Sequence, residues 1–278
     1  MPSWRNVCNC LRLGTLLLLT SSSLAQERPL WELGAGVVTL NLPYYRGSAV
    51  ERSYAIPYPY LVYRGEYLNV DKDGMRGWLY RSEKLNLDLS LAAGVPVPSI
   101  QNGPRAGMPD LDLTIEFGPS IEYHLWHSED HRRNAWLRLP LRSAFAINNS
   151  LPHQGWVFAP YVELSRQDFG RRGWTNRLAF GPLFADTAYH DYFYSVAPQY
   201  ATASRPAYKA HGGYSGSRIT LLSSKTFDQL GLSAFLRFDT LKGATFVDSP
   251  LVERRHYRIV GVALTWIFAR SETFVHVP

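Results

Sequence analysis

The feature that most constrains this chain is an alternation of apolar and polar residues that keeps going. In residues 113–125, Leu113, Ile115, Phe117, Pro119, Ile121, Tyr123 and Leu125 share one face, and Thr114, Glu116, Gly118, Ser120, Glu122 and His124 share the other. The pattern recurs at 85–91, where leucines alternate with Asn86, Asp88 and Ser90. At 137–147, Leu137, Leu139, Leu141, Phe145 and Ile147 oppose Arg138, Arg142, Ala144 and Ala146. At 260–268, Val260, Val262, Leu264, Trp266 and Phe268 line one side. Successive strand side chains point to opposite faces, so period two means strands, and helical periodicity is nearly absent. A soluble β-sandwich also alternates, but its strands average about 5–6 residues, whereas a tilted membrane strand needs about 9–11. Several segments here exceed the shorter length. The expected fold is all-β, a single antiparallel transmembrane β-barrel.

Strands are expected near 31–40, 54–63, 66–72, 75–80, 84–94, 112–125, 135–147, 155–166, 173–184, 190–197, 215–226, 229–241 and 256–268. With 66–72 and 75–80 read as one interrupted strand, the count is about 12, an even number as single-chain outer-membrane barrels prefer. Pro/Gly-rich stretches at 41–53, 95–111 and 198–214 read as loops. Aromatics, 14% of the chain, gather at expected strand ends (Trp31, Tyr44, Tyr45, Tyr58, Tyr60, Trp126, Trp156, Trp174), as in the interfacial girdles of membrane barrels. The last expected strand ends on Trp266-Ile267-Phe268, an aromatic pair of the kind barrel-assembly machinery reads, and a tail, 269–278, follows it.

The opening residues set the compartment. Arg5 and Arg12, an apolar run from Leu11 to Leu19, and Ser23-Leu24-Ala25 before Gln26 form a secretory signal with cleavage expected after Ala25. The domain layout expected is therefore signal 1–25, barrel 26–268 and tail 269–278, with the mature chain exported to the outer membrane and surrounded by its lipid. Cys8 and Cys10 leave with the signal, which excludes disulfides and thiol chemistry from the mature chain. Of 29 basic residues against 23 acidic, the signal removes two basic ones. What remains is mildly positive without a dense Lys/Arg cluster, so no nucleic-acid partner is expected.

Residues that could carry chemistry are sparse. His124, His127 and His131 have metal-like spacing, but an i, i+4 pair shares a face only on a helix, and this run reads as a polar turn. No Ser, His and acid stand at spacings that suggest a hydrolase, so neither an enzyme nor a cofactor is expected. The sharpest expectation concerns the barrel interior. With 112–125 and 135–147 as antiparallel neighbours, Glu116 and Glu122 face inward with Arg138 and Arg142, and alternation adds Arg177 and Arg237. A charged, largely occluded lumen follows. The polar strand face also keeps open a porin-like channel for small solutes.

Five pieces of the sequence resemble the MipA/OmpV family of outer-membrane proteins, named after a member that interacts with a murein lytic transglycosylase. They are LPYYRGS (42–48) with Tyr63-Arg64-Gly65, GMPDLD (107–112), YFYSV (192–196), AHGGY (210–214) and DSPLV (248–252). The resemblance implies an outer-membrane barrel. For the founding member it implies a scaffold joining a lytic transglycosylase to a peptidoglycan synthase, with no catalytic residues to carry over. Ser195 stands where the family often has glycine.

Overall fold

The computed structural model describes residues 26–277 apart from 66–67, 72–73, 78–79, 83, 100–102 and 169–172; the expected signal lies outside them. Strand β1 (Gln26–Pro29) precedes the long hairpin of β2 (Trp31–Pro43) and β3 (Glu51–Arg64). Short strands β4 (Leu68–Asp71), β5 (Gly74–Gly77) and β6 (Tyr80–Arg81) lead to β7 (Leu85–Gly94), β8 (Thr114–His127) and β9 (Arg133–Ala146). Next come β10 (His153–Phe158), β11 (Tyr161–Gln167), β12 (Thr175–Ala185) and helix α1 (Thr187–Tyr194). The chain finishes with β13 (Gly213–Phe227), β14 (Leu230–Thr240), β15 (His256–Arg270) and β16 (Phe274–Val277).

All wall pairings are antiparallel, and first and last long strands meet, with β15 against β2. β10 and β11 both bridge β9 to β12, forming one strand broken at Ala159-Pro160, where proline offers no N–H to the ladder. β5 and β6 follow each other in sequence and sit at the two ends of the sheet order, one pairing β4 and the other β7. With β10 and β11 taken as one strand, the sheet order among the described residues runs through thirteen strands, from β5 to β6.

Two expectations need correction. Residues 66–72 and 75–80 are not one interrupted strand, because β4 and β5 form a hairpin with Asp71 opposite Gly74. Residues 190–197 are not a strand. Asp186 caps α1, its carboxylate accepting from Tyr189 N at 2.9 Å, and the buried His190 and Tyr194 sit one helical turn apart. Beyond Phe268, β15 continues to Arg270, and β16 pairs residue for residue with β1.

The wall is inside out relative to a soluble protein. Along β8 the polar residues Thr114, Glu116, Ser120 and Glu122 are buried, while Ile115, Phe117, Ile121 and Tyr123 are exposed. β15 repeats this, with Val260, Val262, Leu264, Trp266 and Phe268 about half exposed. So large an exposed apolar band has no stable place in water and fits a bilayer. Aromatics mark its two edges: Trp126, Trp266 and Phe268 at one end, and Phe117, Phe145, Trp156, Phe158 and Phe184 at the other. Tyr58 and Tyr60, expected in a girdle, instead point inward, to Thr265 Oγ1 (2.6 Å) and Glu32 Oε2 (3.4 Å). Inside, Tyr58 lies over Gly36 and Phe235 over Gly261, each occupying the space a Cβ would need.

Short turns join strands at the end that holds both termini, whereas residues 44–50, 95–113, 186–212 and 241–255 form long loops at the other. Outer-membrane barrels keep short turns in the periplasm and long loops outside, which orients the chain.

Candidate functional site

The lumen carries two sets of charges. In the first, Arg138 Nη1 donates to Glu122 Oε1 at 2.5 Å, its cross-strand partner, and Arg138 Nη2 donates to Glu163 Oε1 at 3.3 Å. Arg142 Nε donates to Glu116 Oε2 at 3.0 Å, and its Nη1 reaches across β8 to Ser90 Oγ on β7. These side chains are 4–13% exposed, so their attraction is weakly screened. Arg177 lies on the same inward face, opposite Ser165 and Leu222. Arg237 does not join the glutamates. It belongs to a second set around Asp239, with Arg218 and Arg46, near the loop end of the barrel. Alternation located Arg237 but gave no hint of Arg46, which comes from a loop, or of Glu163, which follows the Pro160 break.

Above the second set the long loops fold over the mouth as a cap with its own apolar core. Leu241, Phe246 and Leu251 are fully buried there with Tyr45, Tyr194 and Val196. Tyr45, expected at an interface, is therefore a core residue, because its loop turns inward. Phe246 stacks on Tyr194 with ring centroids 3.6 Å apart. Helix α1 ties the cap to the wall on several sides. Tyr189 Oη donates to Glu116 Oε1 at 2.9 Å, and Tyr194 Oη donates to the Arg46 carbonyl at 3.0 Å. His190 Nδ1 donates to the His211 carbonyl at 2.6 Å, which leaves Nε2 to accept from Ser215 Oγ at 2.6 Å. Burial lowers the His190 imidazole below its ordinary range, favouring this neutral form. Two buried arginines staple the loops through carbonyls: Arg105 to Phe193, and Arg205 to Pro104 and Ala106.

The pieces of sequence that carry the family resemblance converge on this cap, except Tyr63-Arg64-Gly65, which ends β3 at the opposite rim, where Tyr63 pairs with Trp31 and Arg64 bonds to Glu32. Tyr45 Oη donates to the Leu251 carbonyl at 2.8 Å, and Ser249 Oγ donates to the Tyr194 carbonyl at 2.7 Å. Ser195, the departure from the usual glycine, accepts from Ala210 N at 2.9 Å and bonds to Asp191. The profile described as "MltA-interacting protein MipA" matches residues 33–268. The chain belongs to the MipA family. Its inside-out wall and that membership make it an outer-membrane barrel.

No curated protein sequence matches this MipA-family chain. Among solved structures it is similar to a bacterial polysaccharide outer membrane secretin, at 8% identity over 87% of this chain and 99% of that one, with a TM-score of 0.40. It is similar also to the toluene transporters TbuX of Ralstonia pickettii and TodX of P. putida. The first gives 11% identity over 91% of this chain and 72% of that one, TM-score 0.25. The second gives 9% over 91% and 70%, TM-score 0.30.

The matched span takes in the cap and nearly all of the wall, and ends on Phe268. Trp266 and Phe268 point outward, 56% and 53% exposed, with ring centroids 5.7 Å apart at the periplasmic edge. At the same edge His124, His127 and His131 do meet, but as a stack. Centroids are 5.1 and 4.5 Å apart, and Trp136 continues the stack 4.3 Å from His124. Stacked rings direct their nitrogen lone pairs sideways rather than at one point, and among the described residues no His/Cys/Asp/Glu group has a metal-holding arrangement.

Proposed function

We propose that this MipA-family barrel is a non-enzymatic scaffold. It holds a murein lytic transglycosylase, and through it a peptidoglycan synthase, at the periplasmic rim. The family description as an MltA-interacting protein carries the reading. Two features of the molecule support it over a general porin. The cap packs a dry apolar core across the outer mouth, and inward arginines and glutamates bond across the strands below it. Strand number decides nothing here, because about a dozen lies between filled eight-stranded barrels and open porins of 16–18 strands. The surface available to a periplasmic partner comprises the short turns and the β1–β16 ribbon beside the strand that closes the ring.

The test is crosslinking in intact cells, followed by purification in mild detergent. Recovery of a lytic transglycosylase, with a synthase in the same complex, is expected. Crosslinks confined to surface or lipid components would sink the scaffold reading. A large, steady conductance from the purified barrel in planar bilayers would replace it with a channel.

A further inference from the structure

We propose that the lumen beneath the cap contains a binding site for a small divalent oxyanion of the phosphate class, formed by Arg46, Arg218 and Arg237. The starting point is an imbalance. Asp239, whose side chain is completely buried, is the only carboxylate within ion-pair distance of these three arginines among the described residues. Three fixed cations on one anion leave an excess of two positive charges.

The geometry assigns the surplus to a ligand. Arg218 lies directly across the β13–β14 ladder from Asp239, and Arg237 is two residues before Asp239 on the same inward face. Both meet the carboxylate through Nε, at 3.0 and 3.3 Å. Their terminal amino groups make no hydrogen bond to any described residue. Arg46 enters from the 44–50 loop with its Nε donating to Tyr257 Oη at 3.1 Å and its Nη2 3.6 Å from Asp239. Gly216 lies beside it with φ +100°, where an added Cβ would meet the Thr240 carbonyl oxygen at 2.1 Å and Arg46 Nη2 at 3.2 Å. The arginine side chains are 19%, 28% and 30% exposed, against 0% for Asp239. The carboxylate therefore sits behind the guanidinium groups, which face the lumen. Planar guanidinium forks match pairs of oxyanion oxygens, and a doubly charged oxyanion cancels the excess that a single chloride would leave half uncompensated. The cap above and the wall around the site separate it from lipid headgroups, so the ligand is a soluble ion or a small phosphorylated solute.

The test is calorimetric titration of the purified, heat-modifiable barrel with inorganic phosphate. Saturable binding at millimolar concentration or below is expected, displaced by sulfate and indifferent to chloride. Arg218→Gln and Arg237→Gln should each weaken it by about tenfold or more. Asp239→Asn removes the internal competitor and should tighten it. Equal affinity in the wild type and both glutamine variants means an adventitious ion only and overturns the proposal, as does the absence of saturable binding. Should the variants fail to assemble, wild-type thermal unfolding decides. A midpoint raised by phosphate and sulfate but not by chloride sustains the site, and an unmoved midpoint overturns it. None of these outcomes depends on whether a murein enzyme binds the rim.

Discussion

The wall and the cap of this barrel obey opposite burial rules. In the wall, Phe117, Leu221 and Val262 face out, and Glu116, Glu122 and Asp239 are hidden. In the cap, Leu241, Phe246 and Leu251 are hidden, as in any soluble domain. One chain therefore solves two solvent problems. The wall exposes oil to lipid and turns its charges inward, whereas the cap meets water and needs an oily centre. It follows that the two regions should fail separately, each to the kind of substitution the other tolerates.

The largest effect is expected from Arg138→Glu, which sets three carboxylates together at Glu122 and Glu163 in the buried wall. Breaking such a pair costs about 3–5 kcal/mol before the added repulsion. The heat-modifiable, assembled band on gels should largely vanish. Normal assembly would show that the lumen is wet enough to screen these charges, and the occluded interior would have to be abandoned. Phe246→Ala comes next. It leaves a void beside Tyr194 and His190 worth about 3–5 kcal/mol, and all of it falls on the cap. Protease should then cut within 186–212 or 241–255 while the barrel remains heat-modifiable. Loss of the barrel along with the cap would mean that the two regions are one cooperative unit.

Acidification should act in the same direction but more gently. The folded His190 has its pKa lowered below the ordinary 6.5 of the unfolded chain. The unfolded form therefore takes up protons first as pH falls. The contribution of neutral His190 is complete above pH 6.5 and drains away from there down through the folded value. Loop proteolysis should accelerate over that window, and less so in His190→Gln; equal acid sensitivity in both would clear His190 of the role. The smallest effect is expected at the chain ends. Phe268→Ala should lower assembly, since the exposed aromatic belongs to the terminal strand of the wall. Deletion of 271–278, which removes β16 with its pairing to β1 and the bonds of Ser271 and Thr273 to Trp31 and Leu30, should leave assembly nearly intact. The reverse ranking in membrane fractionation would move the assembly signal into the tail, towards Phe274.

How much of this was legible in the sequence divides along the same line. Period two revealed the wall, and with antiparallel neighbours it brought Glu116, Glu122, Arg138 and Arg142 to one face. It gave the face and not the partners. The Arg142–Glu116 and Arg138–Glu122–Glu163 pairings depend on register and on where Pro160 interrupts a strand. The cap carried no periodic signal that matched its structure. Its core residues are scattered over four loops, and the segment holding His190 and Tyr194 alternates well enough to pass for a strand until the Asp186 cap is recognised. Arg46 was missed because nothing local marks a loop arginine that reaches a distant carboxylate, and Arg218 because its pairing with Asp239 depends on the β13–β14 register. All the resemblance pieces but Tyr63-Arg64-Gly65, each weak alone, turned out to supply the cap's contact points: Tyr45, Tyr194, Ala210 and Leu251 meet in one core.

The inverted wall also dictates how such a molecule must travel. Folded in the aqueous periplasm, it would present a continuous belt of leucine, valine and aromatic side chains to water while its arginines and glutamates were already locked inside. There is no stable resting form between the inner membrane and the outer one. The chain has to cross that gap unfolded and escorted, and it reaches its native state only on arrival in the bilayer.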